Sequence, residues 1–187
     1  LTSRGFVFKN FDTQILSKGG AAVLDAGENT KRMSIIVTKG TLDWAYPPFI
    51  LGTTAAAMDV EVTMFFTFYG LQLLKKDLDL KVSTLGNPAM EMPMMGMHMS
   101  MPNIVSAIPG VDRMTTTMMK NLIKKKGVAS IPELREAAVD LDIKMIACQM
   151  TLDLFEMDQK DLIDGIEIGG AATYMEGALK SDINLYI

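Results

Sequence analysis

The stretch Met33-Ser34-Ile35-Ile36-Val37-Thr38 is a β-branched apolar run closed by Lys39-Gly40, the pattern of a strand buried on both faces. Thr41-Leu42-Asp43 then caps a helical stretch that runs towards Met58, with Pro47 and Pro48 tolerated only near its first turns. Residues 60–68 form a second run rich in β-branched and aromatic side chains, and Tyr69-Gly70 leads from it into Leu71-Gln72-Leu73-Leu74. Strand and helix signals alternate, which predicts an α/β fold with a mostly parallel central sheet and helices on both faces, joined by right-handed crossovers.

Residues 111–126 fit a helix whose polar end carries Lys120, Lys124, Lys125 and Lys126, with Gly127 as its stop. Ser130, Pro132 and Glu133 then read as a capping box opening another helix, which ends near Asp142. Next comes Ile143-Lys144-Met145-Ile146-Ala147-Cys148, a short apolar strand that runs straight into a helical pattern over residues 149–157. Asp158 caps a further short helix, Ile166-Glu167-Ile168 is a brief strand, and Gly169-Gly170 turns into a small-residue helix over residues 171–180. Residues 183–187 alternate weakly, as a terminal edge strand would.

Two stretches depart from this alternation. Residues 1–31 carry two apolar clusters around Phe8 and Ala22 and end in Gly27-Glu28-Asn29-Thr30, and are read as an N-terminal arm or hairpin ahead of one α/β domain over residues 32–187. Residues 86–103 crowd seven methionines and the chain's one histidine among Pro and Gly, too many for a long helix. Three readings stay open for Met94, Met95, Met97, His98 and Met99. They are a flexible apolar lid or subunit contact, a soft-metal site taking Cu(I) on Met97-His98-Met99, or a cover that keeps water from a reactive sulfur species.

Hydrophobic residues make up 49% of the chain, more than a lone subunit readily covers, so apolar surface buried between subunits and a homo-oligomer are expected. The net charge of −4 offers no general attraction for nucleic acid or an anionic membrane. Apolar stretches are broken well before the roughly 20 residues of a membrane span. A single cysteine permits no intramolecular disulfide, and no signal-like segment is read at the N-terminus, so the expected compartment is the cytoplasm.

One Cys and one His cannot assemble a zinc-type quartet within the chain. Neither a P-loop nor a G-x-G-x-x-G follows the first strand, and no G-x-S-x-G elbow is present, so nucleotide binding and serine hydrolysis lack support. No cofactor is expected. What remains is Cys148, placed where a strand of an open α/β sheet ends and a helix begins. Unpaired N–H groups of Gln149 and its successors favour a thiolate there, with Thr151 and the Lys39-Gly40-Thr41 loop as further hydrogen-bonding or anion-binding groups at the same edge. The competing reading is a buried cysteine acting as a small hydrophobe in a non-catalytic interaction subunit.

Four stretches carry a resemblance: Lys39-Gly40-Thr41-Leu42-Asp43, Phe65-Phe66-Thr67-Phe68-Tyr69-Gly70-Leu71, Met145-Ile146-Ala147-Cys148-Gln149-Met150-Thr151, and residues 165–174 from Gly165 to Tyr174. Together they resemble the DsrE/DsrF/DsrH-like family, which includes the TusBCD sulfur-relay proteins, and are most similar to its longer branch that carries a peroxiredoxin label. The resemblance implies a flavodoxin-like three-layer sandwich, an oligomer, and a cysteine, matched here by Cys148, that carries sulfane sulfur as a persulfide or as bound thiosulfate. It implies TusA- or rhodanese-like proteins as donors and acceptors. Some members of that branch have further cysteines where this chain has the methionines of residues 86–103, and no Thr-x-x-Cys motif precedes Cys148. A sulfur carrier or sulfurtransferase working through one thiol is the function so implied.

Overall fold

The β-branched run around Ile35 forms β1 (Arg32–Val37), and the second apolar run forms β2 (Glu61–Phe66), with α1 (Leu42–Ala57) between them. The structure is a computed structural model, which describes residues 30–83, 91–94, 97–100 and 110–187. The chain continues through β3 (Glu91–Met94), β4 (Met97–Ser100), α2 (Val111–Lys125), α3 (Ile131–Asp140), β5 (Lys144–Cys148), α4 (Gln149–Leu154), β6 (Glu167–Gly169), α5 (Ala171–Ala178) and β7 (Ile183–Tyr186). Five strands make one sheet in the order β6-β5-β2-β1-β7, every pair of neighbours parallel. The terminal strand is an edge strand, as its weak alternation predicts. The arm expected over residues 1–31 falls almost wholly outside the described residues.

Alternation assigns the two faces. Met33, Ile35 and Val37 of β1 and Val62, Met64 and Phe66 of β2 are buried together, and Phe49 of α1 packs on Phe66 with ring centroids 6.0 Å apart. On that face α1 and α3 lie against each other. Gly52 lets α1 approach closely, because a Cβ there would lie 3.2 Å from Met64 Sδ. The opposite face carries Ser34 and Phe65, covered by α5. Tyr174 stacks on Phe65 with centroids 5.0 Å apart, and its hydroxyl lies 3.0 Å from Ser34 Oγ. Ser34 also hydrogen-bonds Asn184 of β7, so the fully buried hydroxyl has its partners. The result is the expected three-layer α/β/α sandwich.

Apart from shifts of one to three residues at other element ends, two stretches differ from the sequence-based expectation. β2 ends two residues short of Phe68, because Phe68 takes the left-handed region (φ +47°) and turns the chain into a 3-10 segment, Phe68–Leu74, that buries Leu71, Leu73 and Leu74. Within the methionine-rich stretch, where an irregular loop was expected, β3 and β4 pair antiparallel from Glu91↔Ser100 to Met94↔Met97. Methionine at 92, 94, 97 and 99 recurs at strand spacing within the two segments. Pro93 is tolerated because both strands of an isolated pair are edges. The side chains proposed as a lid or metal site (Met94, Met95, Met97, His98, Met99) lie outside what is described.

The capping box opens α3 as the sequence predicts. Glu133 Oε2 accepts from Ser130 N at 2.6 Å, and Ser130 Oγ accepts from Glu133 N at 3.5 Å. Ser130→Ala should therefore cost about 1 kcal/mol, read as a lower denaturant midpoint at unchanged slope. An unchanged midpoint would show that the Glu133 half of the box suffices.

Candidate functional site

Cys148 is the last residue of β5 and the N-cap of α4. The final register pair between β2 and β5 is Phe66↔Ala147, so the next residue on each strand, Thr67 and Cys148, emerge side by side at the carboxyl edge. By alternation both continue the rows of Phe65 and Ile146, on the face covered by α5. Thr67 is still extended (φ −134°, ψ 160°), and the chain reverses only at Phe68.

That reversal builds a small polar cluster under the thiol. Phe68 N donates to Thr151 Oγ1 at 3.3 Å, and the Thr67 and Thr151 hydroxyl oxygens lie 3.2 Å apart. Thr151 is buried, one turn into α4. Burial of Cys148, only 4% exposed, pushes its thiol up. The Thr151 and Thr67 hydroxyls and the Thr151 and Met150 N–H groups at the start of α4 act the other way, and together they hold the thiol below its ordinary range. An apolar core cysteine would need none of these donors. The arrangement can hold sulfur as an anion in a partly desolvated place.

The two edge loops are locked backbone against backbone. A Cβ on Gly70 would lie 2.2 Å from Val37 O, and one on Gly40 would lie 2.2 Å from Tyr69 O. Gly70 N donates to Thr38 O and Thr67 O, both at 3.0 Å. This contact sets where Thr67 and Phe68 stand beside Cys148.

Of the residues predicted from sequence, Thr151 joins the thiol. Gln149 instead turns its side-chain amide to Asp153 Oδ1 at 2.8 Å, and the backbone donors are Met150 and Thr151. Lys39 Nζ sits 3.1 Å from the centroid of the Trp44 ring, a cation–π contact away from the cluster. Gly40 serves close packing, and Thr41 occupies the N-cap position of α1 without a side-chain cap, its buried Oγ1 having no hydrogen-bond partner among the described residues. Thr67 and Phe68 were not singled out, because their role depends on β2 lying next to β5, and strand order is not written in local periodicity. A cleft of about 300 Å³ lies away from Cys148, towards the opposite ends of the strands, where its side chains pair with each other as Arg32–Glu61 and Lys144–Glu167, both at 2.9 Å.

Residues 29–186 match the model of the DsrE/DsrF/DrsH-like family. The chain belongs to this family. It is 59% identical over 157 residues to the sulfur carrier protein DsrE2 of Allochromatium vinosum, covering 84% of this chain and 98% of that one. It is 35% identical over 165 residues to the uncharacterized protein YrkE of Bacillus subtilis, covering 86% and 99% of the two chains. Among solved structures the ychN protein of E. coli superposes with a TM-score of 0.47 at 12% identity, over 84% of this chain and all (100%) of that one. No helix among the described residues is long and apolar enough to cross a membrane.

Proposed function

We propose that this protein is a sulfur carrier that holds sulfane sulfur on Cys148. The observation that supports this most directly is the place of the buried Cys148 at the junction of β5 and α4, beside the paired Thr67 and Thr151 hydroxyls, where its thiol is held below the ordinary range. The 59% identity to a protein named as a sulfur carrier points the same way. In the loading step the Cys148 thiolate attacks the outer sulfur of a donor persulfide. A new S–S bond forms at Cys148, the donor's S–S bond breaks, and the donor leaves as a thiolate. In the unloading step an acceptor thiolate attacks the outer sulfur of Cys148–S–S⁻, and Cys148 leaves as the thiolate it was. No external oxidant or reductant is consumed in either step. TusA- or rhodanese-like proteins fit the donor and acceptor roles. The cytoplasm is the fitting compartment for a persulfide on an unpaired cysteine, and a homo-oligomer fits the apolar content.

The test is intact-mass spectrometry after incubation with polysulfide, thiosulfate or a persulfidated rhodanese. The expected result is an adduct of one sulfur atom, removed by dithiothreitol, mapping to the tryptic peptide 145–160 and absent from Cys148→Ser. A folded protein that takes up no sulfur from any donor overturns the reading. The burial of Cys148 favours a second reading, a non-catalytic interaction subunit, and in that case Cys148→Ala leaves assembly and cellular role intact.

A further inference from the structure

Around the buried thiol the same edge exposes large apolar side chains. Phe68, Tyr69, Met150 and Leu154 are each between 50% and 70% exposed. Met150 and Leu154 stand four residues apart on one face of α4, and the Tyr69 ring stacks on Phe155 with centroids 5.7 Å apart. Charge is scarce here. The segment Phe68–Leu74 carries none, and α4 carries only Asp153, whose carboxylate already accepts from Gln149 Nε2. Phe68 is also held in a backbone region that costs a bulky residue free energy and that Asn or Gly would occupy more readily. An aromatic kept there, half-exposed and with its N–H on Thr151, ties the outer collar to the thiol cluster.

We propose that this collar is the docking surface for the protein that exchanges sulfur with Cys148, and that this partner presents its cysteine between large apolar side chains. The proposal rests on the carrier reading and names the partner's chemistry. A thiol only 4% exposed does not meet a partner's sulfur by random collision of two surfaces, so the partner's cysteine must sit on a segment that seats against the rim. The rim offers that segment apolar area, while the exposed charges around it, Lys39, Asp153 and Glu156, are mixed in sign and give no single-sign steering surface.

The test uses cysteine peptides of equal length flanked by Leu and Phe, by Lys, or by Glu, each supplied as its mixed disulfide with 5-thio-2-nitrobenzoate. The Cys148 thiolate attacks the peptide sulfur, a Cys148–peptide disulfide forms, and thionitrobenzoate leaves as a coloured thiolate. The apolar-flanked peptide should react about tenfold faster than either charged one. The double variant Tyr69→Ser/Leu154→Ser should bring the three rates within about twofold, while its rate with the small symmetrical disulfide of the same reagent stays within about twofold of the parent. Equal rates in the parent, a preference for a charged peptide, or a preference that survives the double variant overturns the proposal. So does a parent oligomer that the double variant dissociates, since a second copy of the chain then covers the collar. Because the exchange needs only a reactive Cys148, it reads docking even if no persulfide ever forms, and the two proposals fail separately.

Discussion

Gly70→Ala should destabilise the protein by about 3 kcal/mol or more, the upper range for forcing atoms into a packed interior. The added Cβ would lie 2.2 Å from Val37 O and 2.8 Å from Val37 C, and both are backbone atoms at the end of β1. Neither is the free end of a side chain, so relief requires the β1 and β2 edge loops to separate. That movement breaks the Gly70 N–H bonds to Thr38 O and Thr67 O and shifts Thr67 away from Cys148. Denaturant unfolding should show a lowered midpoint, and whatever folded protein remains should alkylate at Cys148 with altered pH dependence. Gly177→Ala is the control, since a Cβ there meets only Thr63 Oγ1 at 4.0 Å, and alanine inside a helix should add roughly 0.5–1 kcal/mol. Equal midpoints for the two variants would mean that the loop contact is not tight.

Thr151→Val should change the reactivity of Cys148 in opposite directions at low and high pH. Valine keeps the shape and removes a hydroxyl that favours the thiolate, contacts the Thr67 hydroxyl and accepts from Phe68 N. Burial and the Thr151 N–H remain, so the thiol of the variant titrates higher than that of the parent. Hydrogen bonds to a charged group are worth about 1.5–3 kcal/mol, so below the titration of both thiols the variant holds roughly tenfold less thiolate, or lower still. Its thiolate is also more basic, and a Brønsted slope of about 0.4–0.5 returns roughly threefold in intrinsic nucleophilicity. The net expectation is alkylation about threefold slower at pH values below the titration of both thiols and about threefold faster once both are ionised. Thr151→Ser should restore the parent profile. Parallel pH–rate curves with no crossing would remove the hydroxyl from any role at the sulfur.

Much of this organisation is legible along the chain. The β-branched run of β1, the capping box at Ser130 and Glu133, the strand ending at Cys148 and the terminal edge strand are all local patterns, set by side-chain period and by which residues satisfy a helix end. Thr151 was within reach for the same reason, since it lies three residues from Cys148 on the helix that follows. The Lys39-Gly40-Thr41 loop lies at the carboxyl edge of the sheet, as its place after β1 implies, but its side-chain contacts are not legible in the sequence. Edge position follows from local pattern, whereas the Lys39 ammonium settles on Trp44 through a side-chain choice that sequence spacing does not constrain.

The sequence by itself determined an alternating α/β chain with one thiol at a strand-to-helix junction, because periodicity, caps and a single cysteine are local properties. Only the tertiary structure decided that β2 lies beside β5, which brings Thr67 and Phe68 to a cysteine some 80 residues away, the hydroxyl contact itself spanning 84 positions. Neighbour order in a parallel sheet is set by how helices pack across its faces and by where two glycines let backbones touch. Those are contacts between distant segments, and they exist only once the chain has closed on itself.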